Sequence, residues 1–534
     1  MASQIYETKE DVIELVTDEF DKVGYTKADE ADMTKQNKQQ QFHRRFNFVI
    51  LLSFTAATMA TWEAVLFSNT TAMYNGGRVT LVYGFIFCWI GALTTAASLA
   101  EMASMAPTSG GQYHWVFMLA PPKYSVFLSW ITGWSAVLGW IANLTAGVWF
   151  SGTMIQGLLV LNYPSYVYER WQGTLILFAA LLCCVIVNTL LGRIFPHIET
   201  YVLVLHITGF FAILIPLVVL APKGSPSSVF AQFTDVAGWN SNGLAWFIGL
   251  ISSNLPFVGY DGPCHLAEEV RNASTVVPWA MMSTILLNGV LGFAICIAFS
   301  FTLGDLQTDL MSATEYDFIQ VFFGATNSHA GSSVMTAILI ALVTCASFGF
   351  LASASRQTWA FARDKGLPLS GFLSHVDKRT ALPLRSIGFC AIVSAIIGLI
   401  NIGSTVAFNA IVSLTIAGLF ISYLTAIVLM ILKRVKRETI EFGPWSLGWA
   451  GLPINVLSAC FLIISVLFSF FPPATPVTLM TMNWSCLMWG GSMLIGLAYY
   501  AVLGRKIYNG PVVEKAIVLT GKANAQIRAP TDGP

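Results

Sequence analysis

Charge is scarce in this sequence. Only 10% of its 534 residues are charged, where a soluble domain carries about 25%. With 55% hydrophobic residues and a mean hydropathy of +0.67, the chain reads as a polytopic membrane protein. Neither sign of charge dominates, since 28 Lys and Arg balance 28 Asp and Glu. That balance argues against a nucleic-acid partner. The nine Cys lie almost all inside apolar segments, with no C-x-x-C or C-x-x-H spacing. They read as small buried residues, and no metal or cofactor is expected. A Walker motif is missing, which excludes direct ATP coupling. No nucleophile–base set is visible, so an enzyme is not expected. No apolar run precedes Phe46, so no cleavable secretory signal is expected.

What the chain has instead is apolar runs of membrane-spanning length. Reading segments of about 20 residues places twelve spans at 46–70, 79–105, 124–160, 172–191, 198–221, 243–265, 280–304, 333–360, 386–403, 407–431, 453–472 and 484–504. Residues 1–45 and 505–534 are expected to be polar, disordered tails, with loops at 222–242 and 432–452. Placing both termini in the cytosol puts all but three of the 28 basic residues inside; only Arg78, Arg170 and Lys223 fall outside.

Span 6 cannot form one continuous helix. It reads Asn254-Leu-Pro-Phe-Val-Gly-Tyr-Asp-Gly-Pro-Cys264, with Pro256 and Pro263 removing backbone donors and Gly259 and Gly262 adding freedom. Broken backbone at membrane depth lines a cavity, because lipid cannot satisfy its polar groups. Span 1 has a polar centre, Ser53 to Glu63, with Thr58, Thr61 and one acid. Two weakened spans five apart imply two inverted repeats, 46–221 and 243–431, with spans 11 and 12 (453–504) appended. The expected fold is therefore all-α, with twelve transmembrane helices in a five-plus-five inverted repeat and breaks in helices 1 and 6.

Two further segments carry a resemblance. The loop after span 2 reads Glu101-Met-Ala-Ser-Met-Ala-Pro-Thr-Ser-Gly-Gly-Gln-Tyr-His-Trp115. The end of span 8 reads Ala354-Ser-Arg-Gln-Thr-Trp-Ala-Phe-Ala-Arg-Asp-Lys-Gly-Leu-Pro368. With Gly259-Tyr-Asp and Glu268-Glu-Val-Arg-Asn-Ala-Ser274, residues 46–505 resemble the amino acid–polyamine–organocation superfamily. Within it they are most similar to fungal amino acid, choline and GABA permeases. The resemblance implies a solute site among spans 1, 3, 6, 8 and 10, and alternating access. Span 1 departs from the pattern: many members have a Gly-rich centre where this chain has Thr-Ala-Ala-Thr-Met-Ala-Thr.

The acids Asp261 and Glu63 are candidates for binding a cationic group or carrying a proton; the competing reading is a structural hydrogen-bond anchor. Aromatic faces suit an ammonium, which singles out Trp62, Phe257 and Tyr260 beside the breaks. Asn143 and Asn254, like Thr58 and Thr61, are candidates for polar contacts to the solute, and Gly259 for close backbone approach. His206 lies well inside span 5, and an imidazole is the side chain suited to reversible protonation. The resemblance implies a coupling role for a basic group there, and proton coupling through His206 with Asp261 is expected. The resemblance also assigns Glu268 and Glu269 to an inner gate, with Arg44, Arg193, Arg356 or Arg363 as basic partners.

The expected function is secondary active transport, proton-driven, of an amino acid, GABA or choline across the plasma membrane. A polyamine carrier, a pathway-metabolite exporter and a solute-sensing transceptor remain as alternatives. Membrane lipid surrounds such a protein. The resemblance adds ubiquitin-ligase machinery acting on lysines of the N-terminal tail.

Overall fold

The computed structural model describes residues 26–36, 38, 40–304, 313–403, 407–479 and 481–511, with the backbone alone at 407–409. The outer parts of the expected tails, 1–25 and 512–534, lie outside the described residues, and with them Lys9 and Lys22.

Among the described residues the regular structure is helical apart from one small strand pair, Asn75–Gly76 against Thr234–Asp235. Eleven helices among the described residues are long and apolar enough to cross a membrane. The twelfth crossing is span 6, whose segments Asn242–Asn254, Leu255–Phe257 and Gly262–His265 are each too short alone. The others run as follows: span 1 Phe48–Met59 and Thr61–Phe67, span 2 Arg78–Met105, span 3 Pro122–Asn162, span 4 Arg170–Thr189, span 5 Phe195–Leu220. Then come span 7 Ala273–Thr302, span 8 His329–Arg363, span 9 Leu384–Gly398, span 10 Ala407–Val435, span 11 Gly451–Ser469 and span 12 Ser485–Tyr499. Breaks in spans 1 and 6, five apart, place one broken helix at the start of each repeat.

Burial follows position in the bundle. Span 1 is the most enclosed, with 83% of its apolar window buried, while span 12 has 11% buried and turns its Leu, Ile and Val side chains outward. Side chains that would be a liability in water suit a lipid-facing helix.

The tail expectation needs correcting at both ends. Residues 26–36, 38 and 40–45 fold against the face that carries the N-terminal segment, termed the inner face below. Helix Lys27–Lys35 is capped by a Thr26–Asp29 capping box. Asp29 then receives the Arg44 guanidinium at 3.0 Å, both side chains fully enclosed. Phe46 pairs with span 6 through its amide to the Glu269 carbonyl and its carbonyl to the Arg271 amide. Lys38 is buried beside Glu268, which leaves Lys27 and Lys35 as the exposed tail lysines among the described residues. At the other end Tyr508 is buried and shares a 2.6 Å hydrogen bond with Ser129. Alternating charges suggested a solvated tail; the packing partners that order it are distant in sequence.

Candidate functional site

Span 1 breaks without glycine or proline. Ala60 takes the left-handed conformation, φ 45° and ψ 45°, ending one helix and starting the next. That geometry costs about 1–2 kcal/mol for a residue with a Cβ, so the surroundings must hold it. Asn288 of span 7 donates at 2.9 Å to the Ala56 carbonyl, which also accepts the Ala60 amide at 3.3 Å. Thr61 donates its hydroxyl to the Pro256 carbonyl at 2.8 Å, tying the break in span 1 to the break in span 6. In span 6 the chain passes through a short 3-10 turn and then Gly259 at φ 99°, a value glycine adopts freely.

A narrow cavity lies between the two breaks. Its walls come from Met59, Ala60, Ala64 and Phe67 of span 1, Asn143, Gly147 and Phe150 of span 3, Leu255 and Val258 of span 6, and Val343, Ala346 and Phe350 of span 8. Asn143 is the one polar side chain in that wall, and its Nδ2 has no partner among the described residues. The space, about 30 Å³, holds a water or two but no amino acid. A solute enters only when the lining side chains give way.

Behind the wall stands a buried acid–base pair. Glu63 Oε1 lies 2.7 Å from His206 Nδ1, joining span 1 to span 5. The second oxygen of Glu63 and the second nitrogen of His206 have no protein partner among the described residues. Trp62 packs on the pair, its ring 5.8 Å from the imidazole.

This layout, with a cavity between two broken helices of paired repeats, is matched at the level of sequence family. A profile described as amino acid permease covers residues 46–492. The chain belongs to the amino acid permease family. It is a membrane transporter and not an enzyme. It is 30% identical to a Macrophomina phaseolina protein named as an amino acid/polyamine transporter, over 82% of this chain and 96% of that one. It is 30% identical to the choline transporter of Saccharomyces cerevisiae, over 84% and 79%. It is also 30% identical to amino-acid permease BAT1 of Arabidopsis thaliana, over 90% and 94%.

Two buried ion pairs lie on the inner side of the permease. Glu268 receives both terminal nitrogens of Arg363, at 3.0 and 3.1 Å, and the Ser109 amide at 3.3 Å. Glu269 pairs with Arg356 at 2.9 Å. Of the other basic partners considered, Arg44 binds Asp29, and Arg193 reaches the Arg379 carbonyl. The two motif segments meet here: Tyr113 donates to Asp364 at 2.7 Å, and Trp130 to the Gly366 carbonyl.

On the outer side a wider cavity of about 200 Å³ opens among Trp149, Thr153, Tyr168, Arg170, Tyr316 and Asn401. Phe67 and Phe150 line both this vestibule and the inner cavity. Their ring centres are 4.2 Å apart, so the pair forms the partition between the two.

Of the solute-site candidates, Asn143 lines the cavity. Glu63 and Trp62 stand behind its wall, and Thr61 clamps the breaks. Thr58 is buried against Gly349, where an added Cβ would fall 2.0 Å from its hydroxyl. Asp261 does not reach the cavity. It accepts from Tyr423 at 2.5 Å and from Gln112 at 2.8 Å, and lies 3.1 Å from His265 Nε2. Tyr260 packs on Tyr423, and Phe257 on Phe85 of span 2. Asn254 accepts from Ser465 and Cys88, which ties span 6 to spans 11 and 2. The sequence reading missed Phe67, Phe150 and Phe350, since nothing local separates them from packing phenylalanines. Tyr423, a hydroxyl in an apolar span, was the one readable signal for a partner of Asp261.

Proposed function

We propose that this permease takes up a small nitrogenous solute, an amino acid, GABA or choline, in symport with protons across the plasma membrane, by alternating access. The carrying observation is the Glu63–His206 pair. A carboxylate and an imidazole share one hydrogen bond behind the wall of the cavity, each with a free second atom. Such a pair holds a proton in one state and yields it when its surroundings change. The closed inner ion pairs and the aromatic partition on the outer side support a cycle in which one barrier opens at a time.

Glu315 stands in the outer vestibule, but no carboxylate lines the cavity between the breaks, which speaks against a polyamine as cargo. A zwitterion or a singly charged quaternary ammonium fits better. Choline is the second reading: Phe67, Phe150 and Phe350 offer three aromatic faces, and one relative is named a choline transporter. Uptake of radiolabelled choline, GABA and a panel of amino acids, repeated across external pH with and without sodium, tests both. A saturable signal that rises with external acid and ignores sodium supports the proposal. A sodium requirement with no pH dependence overturns it, and solute binding without accumulation favours a transceptor.

A further inference from the structure

Glu199 on span 5 is a second acid at membrane depth that the pair above does not use. It is fully buried, and both of its carboxylate oxygens lack a hydrogen-bond partner among the described residues. A charged carboxylate cannot persist in that setting without a partner, so the group is held as the neutral acid. It lies seven residues before His206, two helical turns or about 10 Å toward the inner face. Both belong to the buried face of the helix, with Val202 between them.

What lies on the other side of Glu199 matters more. Phe195, one turn further inward, meets Phe46 and Phe54 with ring centres 6.5 and 6.2 Å apart, and those two rings are 6.2 Å from each other. The three rings are all buried and plug the route from Glu199 to the inner face. Phe46 is tied by its backbone to Glu269 and Arg271, the segment that carries the inner ion pairs. Any movement of that segment that opens the inner gate also withdraws Phe46 from the plug.

We propose that Glu199 is the inner proton-release station of this permease, reached from the Glu63–His206 pair and exposed only when the inner gate opens. The proton leaves the imidazolium through intervening water, forms the O–H bond of the Glu199 acid, and passes to solvent once the plug parts. Neutral His206 and ionised Glu199 are left behind, and Glu199 returns to the acid form on the next transfer. The ionisable groups on neighbouring elements do not pre-empt it. Span 1 offers Glu63, already bound to His206; span 8 offers the Cys345 thiol, and Arg356, already bound to Glu269. Asp317, on the short outer helix that also packs on span 5, is engaged by Asn69. Span 7 carries only the Cys296 thiol, which donates to the Leu81 carbonyl.

The inference rests on the proton-coupled reading, and its test separates the two. Full-length permease and its Glu199→Gln variant are reconstituted in liposomes. The probe is the radiolabelled member of the choline, GABA and amino acid panel that the unmodified protein accumulates. Counterflow at equal pH is compared with accumulation driven by an imposed pH gradient. The expected result is counterflow close to the unmodified level and a several-fold loss of gradient-driven accumulation. Gradient-driven accumulation equal to the unmodified protein overturns the role of Glu199 and leaves proton coupling standing. Failure of the unmodified protein to respond to the gradient overturns both. If the variant loses counterflow too, labelling of the unmodified protein with dicyclohexylcarbodiimide, which attacks buried protonated carboxyls, decides. Adducts mapped to Glu199 that increase when the inner gate is broken by Arg356→Glu support the role, and no adduct at Glu199 in either protein overturns it.

Discussion

Glu63 and His206, 143 residues apart in sequence, share a 2.7 Å hydrogen bond inside the bundle. Neither has a second protein partner at its free atom among the described residues. A buried pair of this kind is expensive to break, because the survivor is left polar and unpaired, at about 3–5 kcal/mol.

From that relationship, Glu63→Gln and His206→Ala should each lower the amount of folded protein and remove the dependence of uptake on external acid. The double variant Glu63→Gln/His206→Gln should recover folded protein, since an amide pair can still hydrogen-bond, without recovering the pH response. Detergent size-exclusion profiles and uptake against pH measure the two effects separately. An intact acid response in His206→Ala would remove the pair from the coupling mechanism.

The partition between vestibule and cavity is two rings thick. Phe150→Ala should open it, and a cysteine placed at Ala64 on the cavity wall should then react faster with a membrane-impermeant thiol reagent added from outside. Removing a packed phenylalanine also destabilises by about 3–5 kcal/mol, so labelling is to be normalised to folded protein. Equal labelling rates would mean the barrier lies elsewhere.

Charge reversal tests the inner gate. Arg356→Glu places two carboxylates together at Glu269 and should bias the permease toward the inward-open form, read as faster labelling of an introduced Ala352→Cys from the inner side. The swap Glu269→Arg/Arg356→Glu should restore slow labelling, because the attraction is re-formed with its sign pattern exchanged. The single reversal leaves a buried charge unpaired, at a cost of about 3 kcal/mol or more.

Ala60 should accept glycine and reject a β-branched residue. Ala60→Gly relieves the left-handed strain by up to about 1 kcal/mol and should raise thermal stability in detergent with uptake retained. Ala60→Val adds strain at φ 45° and pushes two methyl groups into the cavity wall. It should abolish uptake even where protein still folds. Normal uptake by Ala60→Val would place the solute away from this break.

The amino-acid pattern alone carried the membrane class, the twelve crossings, the break in span 6 and the family resemblance. Those follow from local physics: apolar runs long enough to cross a bilayer, prolines without amide donors, and motif residues adjacent in the chain. Glu268 and Glu269 were legible too, as a charged pair that the family resemblance singles out. Their assignment to Arg363 and Arg356 was not, because several arginines stand at the inner face.

Tertiary structure decided everything that depends on two distant segments meeting. It turned Asp261, the most conspicuous acid in the sequence, into a hydrogen-bonded anchor among Gln112, Tyr423 and His265. It joined Glu63 to His206, which the sequence reading had given separate roles. It broke span 1 at an alanine, held there from outside the local segment by Asn288 and by the Pro256 carbonyl that accepts from Thr61, where composition offered no helix breaker. It also ordered residues 26–36 and 40–45, whose charges look solvated until Asp29 and Arg44 find each other at the inner face. Local sequence specifies which backbone can form. Only the assembled bundle specifies which buried polar group has a partner and which, like Glu199, is left without one among the described residues.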